Sequence, residues 1–190
     1  MASSSSSSSS SSVFLLLLSL LLLLGLATTS SAKKSVVLTY YTQQQFGVNE
    51  FSMVPAAVAP ANGTRQGVGL EVVYDYTVTA GGSPTTSAAI GFVRGTSVVV
   101  SNTAQATIFF VKTVVEIADP VSGLSGTFST QGEANFASGQ PFELAVVGGT
   151  EDFRGVTGYA IATSFNFTPP TSTSTAKVTN AYQAFLTFLL

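Results

Sequence analysis

Proton chemistry in this chain falls to carboxylates, tyrosines, lysines and arginines, because its 190 residues include neither His nor Cys. A Ser-His-Asp triad is therefore impossible, the usual transition-metal ligands are missing, and neither a metal nor a cofactor is expected. Asp75 stands out among the carboxylates. It lies in the aromatic and β-branched run Val-Tyr-Asp-Tyr-Thr-Val-Thr (73–79), where burial would raise its pKa and make it a general acid near neutral pH. Strand alternation leaves two readings open: Asp75 inward, or Tyr74 and Tyr76 inward with Asp75 in solvent. Glu133 and Glu143 are candidates for a second carboxyl, against the ordinary reading of glutamates near turns as solvated. Arg94, in an otherwise apolar stretch, would clamp a ligand oxygen or pair with a glutamate on the adjacent strand. Tyr159 would stack on an aromatic ligand or join the core.

Strands must carry these residues. From Lys33 onward, segments 35–42, 67–79, 86–100, 105–117, 126–131, 142–147, 157–167 and 176–190 alternate in the β pattern between turn-forming Gly, Pro, Ser and Asn clusters, and no helical period intervenes. In the fourth of these, Thr107, Phe109, Val111, Thr113, Val115 and Ile117 form a mostly apolar face. Its opposite face, Ala106 to Glu116, is apolar at the start and charged toward the end. An antiparallel sheet that is partly apolar on both sides suits an all-β barrel of eight strands, its lumen filled or ligand-holding and its outer wall covered by neighbouring subunits. Segment 182–190 reads as the closing strand rather than a lipid-anchor signal, since Gln183 and Thr187 interrupt its short apolar run.

The richest local pattern is Phe-Glu-Leu-Ala-Val-Val-Gly-Gly-Thr-Glu-Asp-Phe-Arg-Gly-Val-Thr-Gly-Tyr-Ala (142–160). Gly148 and Gly149 would supply the positive φ angles of a tight reversal, and Gly158 would let the returning strand pass close to a neighbour. Val-Val-Gly-Gly-Thr, two residues, Phe-Arg, three residues, Gly-Tyr-Ala resembles the most characteristic motif of plant dirigent proteins, secreted β-barrels that steer the coupling of phenolic radicals. The resemblance extends to 73–79, to Gly91 and Gly95 in Ile-Gly-Phe-Val-Arg-Gly-Thr, and to Gly126-Thr127-Phe128 followed by Gly132. It implies an eight-stranded antiparallel barrel, trimeric by analogy, that takes phenoxyl radicals or quinone methides made by an external laccase or peroxidase. Asp75 would then be the acid of the pocket, with Glu133 in support.

The chain departs from the family pattern where its polar residues matter. The first strand ends in Thr42-Gln43-Gln44-Gln45 where dirigent proteins usually have His-Asp or His-Asn, Gly132 leads into Glu133-Ala134-Asn135, and Phe142 stands where many members carry Arg. Two other readings therefore stand beside phenol steering: a non-catalytic cell-wall or carbohydrate-binding barrel, and an isomerase or cyclase similar to allene oxide cyclase, whose barrel the chain also resembles.

All charged residues, seven basic and nine acidic, follow Ala32, and a net charge of −2 offers no basic face for nucleic acid. Residues 1–32 combine a serine run with the apolar stretch 13–26, roughly 14 residues long and short of the ~20 that span a bilayer. They predict a signal peptide cleaved after Ser30-Ser31-Ala32, leaving a barrel domain of 33–190 that is secreted to the apoplast and has no membrane contact. Sequons at Asn62 and Asn166 agree with secretion. Without disulfides, such a domain must rely on its own core and on oligomerisation.

Overall fold

Alternating side chains close into a ring. The computed structural model describes residues 33–56, 67–103, 106–135 and 140–189, so the leader segment 1–32 and Asn62 lie outside the described residues. The strands are β1 (Lys33–Gln45), β2 (Glu50–Val54), β3 (Glu71–Thr79), β4 (Ala89–Asn102), β5 (Thr107–Ala118), β6 (Ser125–Ala134), β7 (Phe142–Gly149), β8 (Thr157–Thr168) and β9 (Lys177–Leu189). Strands β1, β9, β8, β7, β6, β5, β4 and β3 are hydrogen-bonded in that order, each antiparallel to the next, and β3 returns to β1. This is the expected eight-stranded antiparallel barrel. Strand β2 is an addition to it.

The ring closes unevenly. β1 pairs with β9 along its whole length but meets β3 only where residues 41–43 face 77–79. After Gln45 the chain detours through residues 46–49 and rejoins β3 as β2, with Glu50 opposite Tyr74. Asn49 stitches the detour. Its side-chain oxygen accepts from the Gln45 N–H at 2.7 Å, its amide donates to the Gln43 carbonyl at 2.9 Å, and its carbonyl accepts from the Asp75 N–H at 3.0 Å.

One end of the lumen is packed solid. Tyr40, Ile117, Phe128, Phe153 and Leu186 are all buried there, with Phe128 edge-on to Tyr40 at 6.2 Å and 5.3 Å from Phe153. A short 3-10 turn, Glu151–Phe153, delivers that last ring. The reversal expected at Gly148-Gly149 therefore occurs a few residues later, between Gly149 and Thr157. β7 runs through Gly149, where a Cβ would sit 2.5 Å from the Thr127 carbonyl oxygen and 2.6 Å from Phe153 Cβ, so the glycine makes room for the plug. Gly158 does pass close to its neighbour as expected: a Cβ there would lie 1.9 Å from the Phe185 carbonyl oxygen.

Candidate functional site

The opposite end of the lumen is open to a cavity of about 360 Å³, room for roughly a dozen waters at their share of liquid volume and within the usual size of small-molecule sites. Its walls differ. Leu70, Val72, Val93, Phe109, Val111 and Phe142, from β3, β4, β5, β7 and the segment before β3, make an apolar side. A polar seam crosses the other side: Ser164 Oγ donates to Asn180 Oδ1 at 3.4 Å, Asn180 Nδ2 to Gln44 Oε1 at 3.5 Å, Gln44 Nε2 to Glu50 Oε2, and the Tyr76 hydroxyl to that same Oε2.

Register explains why Glu50 faces in. Directly opposed residues on neighbouring strands share a face, Tyr74 points inward, and Glu50 is its partner. Next along, Phe51 opposes Val73 and is exposed on the outer side. Burial pushes the Glu50 carboxyl above its ordinary range, partly offset by the hydrogen bonds from Tyr76 and Gln44. Tyr74 and Tyr76 stack at 4.6 Å and nearly parallel, and the Tyr74 hydroxyl donates to the Thr96 carbonyl at 3.3 Å. Burial, with the nearby Glu50 charge, raises both of these phenols. Between cavity and floor, Tyr182 stacks on Tyr40 at 5.0 Å, and burial pushes its phenol up to about 12. All these tyrosines therefore keep their protons at physiological pH and serve as donors.

The five residues singled out from the sequence lie elsewhere. Asp75, Arg94, Glu133, Glu143 and Tyr159 are all on the outer wall. For Asp75 the reason is alternation: its neighbours Tyr74 and Tyr76 carry the large apolar rings and take the interior, so the carboxylate turns out. There it meets Arg94 Nε at 3.2 Å, while Arg94 Nη1 reaches Glu116 Oε2 at 2.7 Å and the guanidinium lies 4.8 Å from the Phe92 ring. Arg94 thus takes the pairing role, not the ligand clamp. Glu133 and Glu143 are exposed beside inward-facing Ala134 and Leu144. Tyr159 stacks on Phe185 at 4.9 Å outside the lumen. Among the described residues no group of three or more His, Cys, Asp or Glu could hold a metal ion.

Glu50, Gln44, Asn180 and Ser164 were not among the expected site residues. The available signal was the amide-rich run Gln43-Gln44-Gln45 followed by Asn49-Glu50 at the end of an apolar strand, and it points inward only once the detour and its register with β3 are known.

A closed antiparallel ring, solid at one end and hollow at the other, with Glu50 the one carboxyl among the described residues lining the hollow, defines a β-barrel with an open lumen. The chain belongs to the dirigent-like protein family, whose sequence profile matches residues 36–183. Among solved structures it is similar to two pterocarpan synthase dirigent proteins, one at 20% identity over 84% of this chain and 93% of that one (TM-score 0.68), the other at 23% over 83% and 97% (TM-score 0.67). A pyocyanin demethylase shares the fold at 14% identity over 80% of this chain and 99% of that one (TM-score 0.55). At these identities the likeness is one of fold. Compared with curated proteins, the sequence matches none.

Proposed function

We propose that this protein holds one phenoxyl radical or quinone methide in the open end of its barrel and so biases the stereochemistry of phenol coupling in phenylpropanoid metabolism, without oxidising power of its own. The observation that carries this reading is the two-sided cavity, apolar on one wall and hydrogen-bonding on the other. Such a site accepts an aromatic ring in few poses, and a difference of about 1.4 kcal/mol between two approaches already gives tenfold selectivity. Among the described residues lining the cavity none is Lys or Arg, which favours an uncharged phenol over the carboxylate substrate that a fatty-acid cyclase would need to bind.

In this reading the leader 1–32 directs the chain to the apoplast, an external laccase or peroxidase supplies the radicals, Asn62 and Asn166 carry glycans, and the barrel works as a homo-oligomer. Asn166 is exposed near the end of β8, which leaves it reachable for modification. The test is to oxidise coniferyl alcohol with a laccase in the presence of the mature protein. An enantiomeric excess in the pinoresinol formed is expected; racemic product at every protein concentration would refute the reading.

The outer wall favours one alternative. Tyr159, 39% exposed and stacked on Phe185, offers a flat aromatic face outside the lumen, as a carbohydrate-binding barrel would. A glycan array probed with the wild type and Tyr159→Ala separates the two: binding lost in the variant supports the alternative.

A further inference from the structure

We propose that Glu50 is the group that gives and takes protons in the cavity, with Tyr76 and Gln44 as its positioning residues; the assignment rests on the cavity reading above. The candidate acids named from the sequence, Asp75, Glu133 and Glu143, are all on the outer wall, so in this proposal the chain carries its reactive carboxyl on the short strand β2, a position that the family pattern did not indicate. Three observations support it.

Glu50 is the one carboxyl among the described residues lining the cavity. The titratable groups that face it are Tyr76 and Tyr74 on β3, with the neutral Gln44 on β1 beside it and Tyr182 on β9 lining the same cavity. All three phenols keep their protons near neutral pH, so a proton that moves here moves on Glu50. Finally, Tyr76 and Gln44 fasten the same oxygen, Oε2, and the second carboxyl oxygen is the one left for a ligand.

For a quinone methide in the cavity the step balances without any oxidant. The ring carbonyl oxygen takes the proton from Glu50 and becomes a phenol hydroxyl as the exocyclic C=C bond gives way to a new C–O bond from an alcohol hydroxyl. That hydroxyl releases its own proton, which returns Glu50 to its starting state directly or through water at the open end. Atoms and electrons are conserved, and the product is an isomer of the reactants taken together. Protonated Glu50 is the active form, so activity declines as pH rises through its titration.

The test uses the mature protein with laccase and coniferyl alcohol, reading the rate at which the coupled quinone methide closes to pinoresinol from pH 4 to 8, alongside coniferyl alcohol binding followed by tyrosine fluorescence. Glu50→Gln is expected to bind the alcohol within about threefold of wild type while that rate falls tenfold or more and loses its pH dependence. Tyr76→Phe removes a hydrogen bond that holds the Glu50 carboxyl down, so its pH profile should shift upward; a merely structural role for Tyr76 would leave the profile in place. A wild-type ring-closure rate and an unchanged pH profile in Glu50→Gln would overturn the assignment with the cavity reading intact. Absence of coniferyl alcohol binding by the wild type would overturn both.

Discussion

Glu50 is a group that the fold keeps at a cost that grows with pH. Its carboxyl sits above the ordinary value of 4.5 because burial penalises the charge, so the folded state holds a proton that the unfolded chain releases. The stability it contributes is complete below pH 4.5 and is lost as pH rises through the raised folded value. Thermal melts should show Glu50→Gln gaining on the wild type between pH 4 and pH 8, with little difference at the acid end; a constant gap would contradict the burial of Glu50. Outside, the Asp75–Arg94–Glu116 cluster is about half exposed, and Asp75→Ala should cost no more than about 1 kcal/mol in denaturant titrations and leave any phenol selectivity unchanged. The sequence made the contest between Asp75 and its tyrosine neighbours visible but not its outcome, because alternation fixes that they face opposite ways and only packing decides which way is in. Two large rings against one carboxylate decide it for the rings.

At the level of elements, the eight long strands were legible because each alternates over many residues between clear turn formers. Strand β2 was not, since five residues, Glu50–Val54, are too few to show a period and only Glu50 among them is shielded from solvent. The hairpin after β7 was read correctly as a reversal and misplaced by a few residues, because Gly149 serves the packing of Phe153 and not the turn itself. Two substitutions test these assignments. Phe153→Ala empties the plug of a ring with 0% exposure and should destabilise the barrel by roughly 3–5 kcal/mol in chemical denaturation. Gly158→Ala would force a methyl into a backbone oxygen 1.9 Å away at a φ of +142°, and the expected outcome is a chain that no longer accumulates as folded, soluble protein.

For the whole molecule, the closed ring leaves one unbroken outer wall, and that wall is greasy: Val37, Phe92, Val114 and Val147 are each at least 40% exposed. A surface of this kind agrees with a self-associating barrel, and sedimentation of the mature protein at micromolar concentration should give more than the monomer mass.

The three-residue meeting of β1 with β3 makes this a cylinder with one weak stave. Every other junction in it holds a longer ladder, so local opening is expected there, beside the Asn49 stitches, and amide hydrogens bonded across the seam between 41–43 and 77–79 should exchange sooner than those between β4 and β5. In the proposed binding role, a guest too wide for the open end would have a second way in, through local unzipping of the side of the cylinder while the plugged floor keeps the rest in shape.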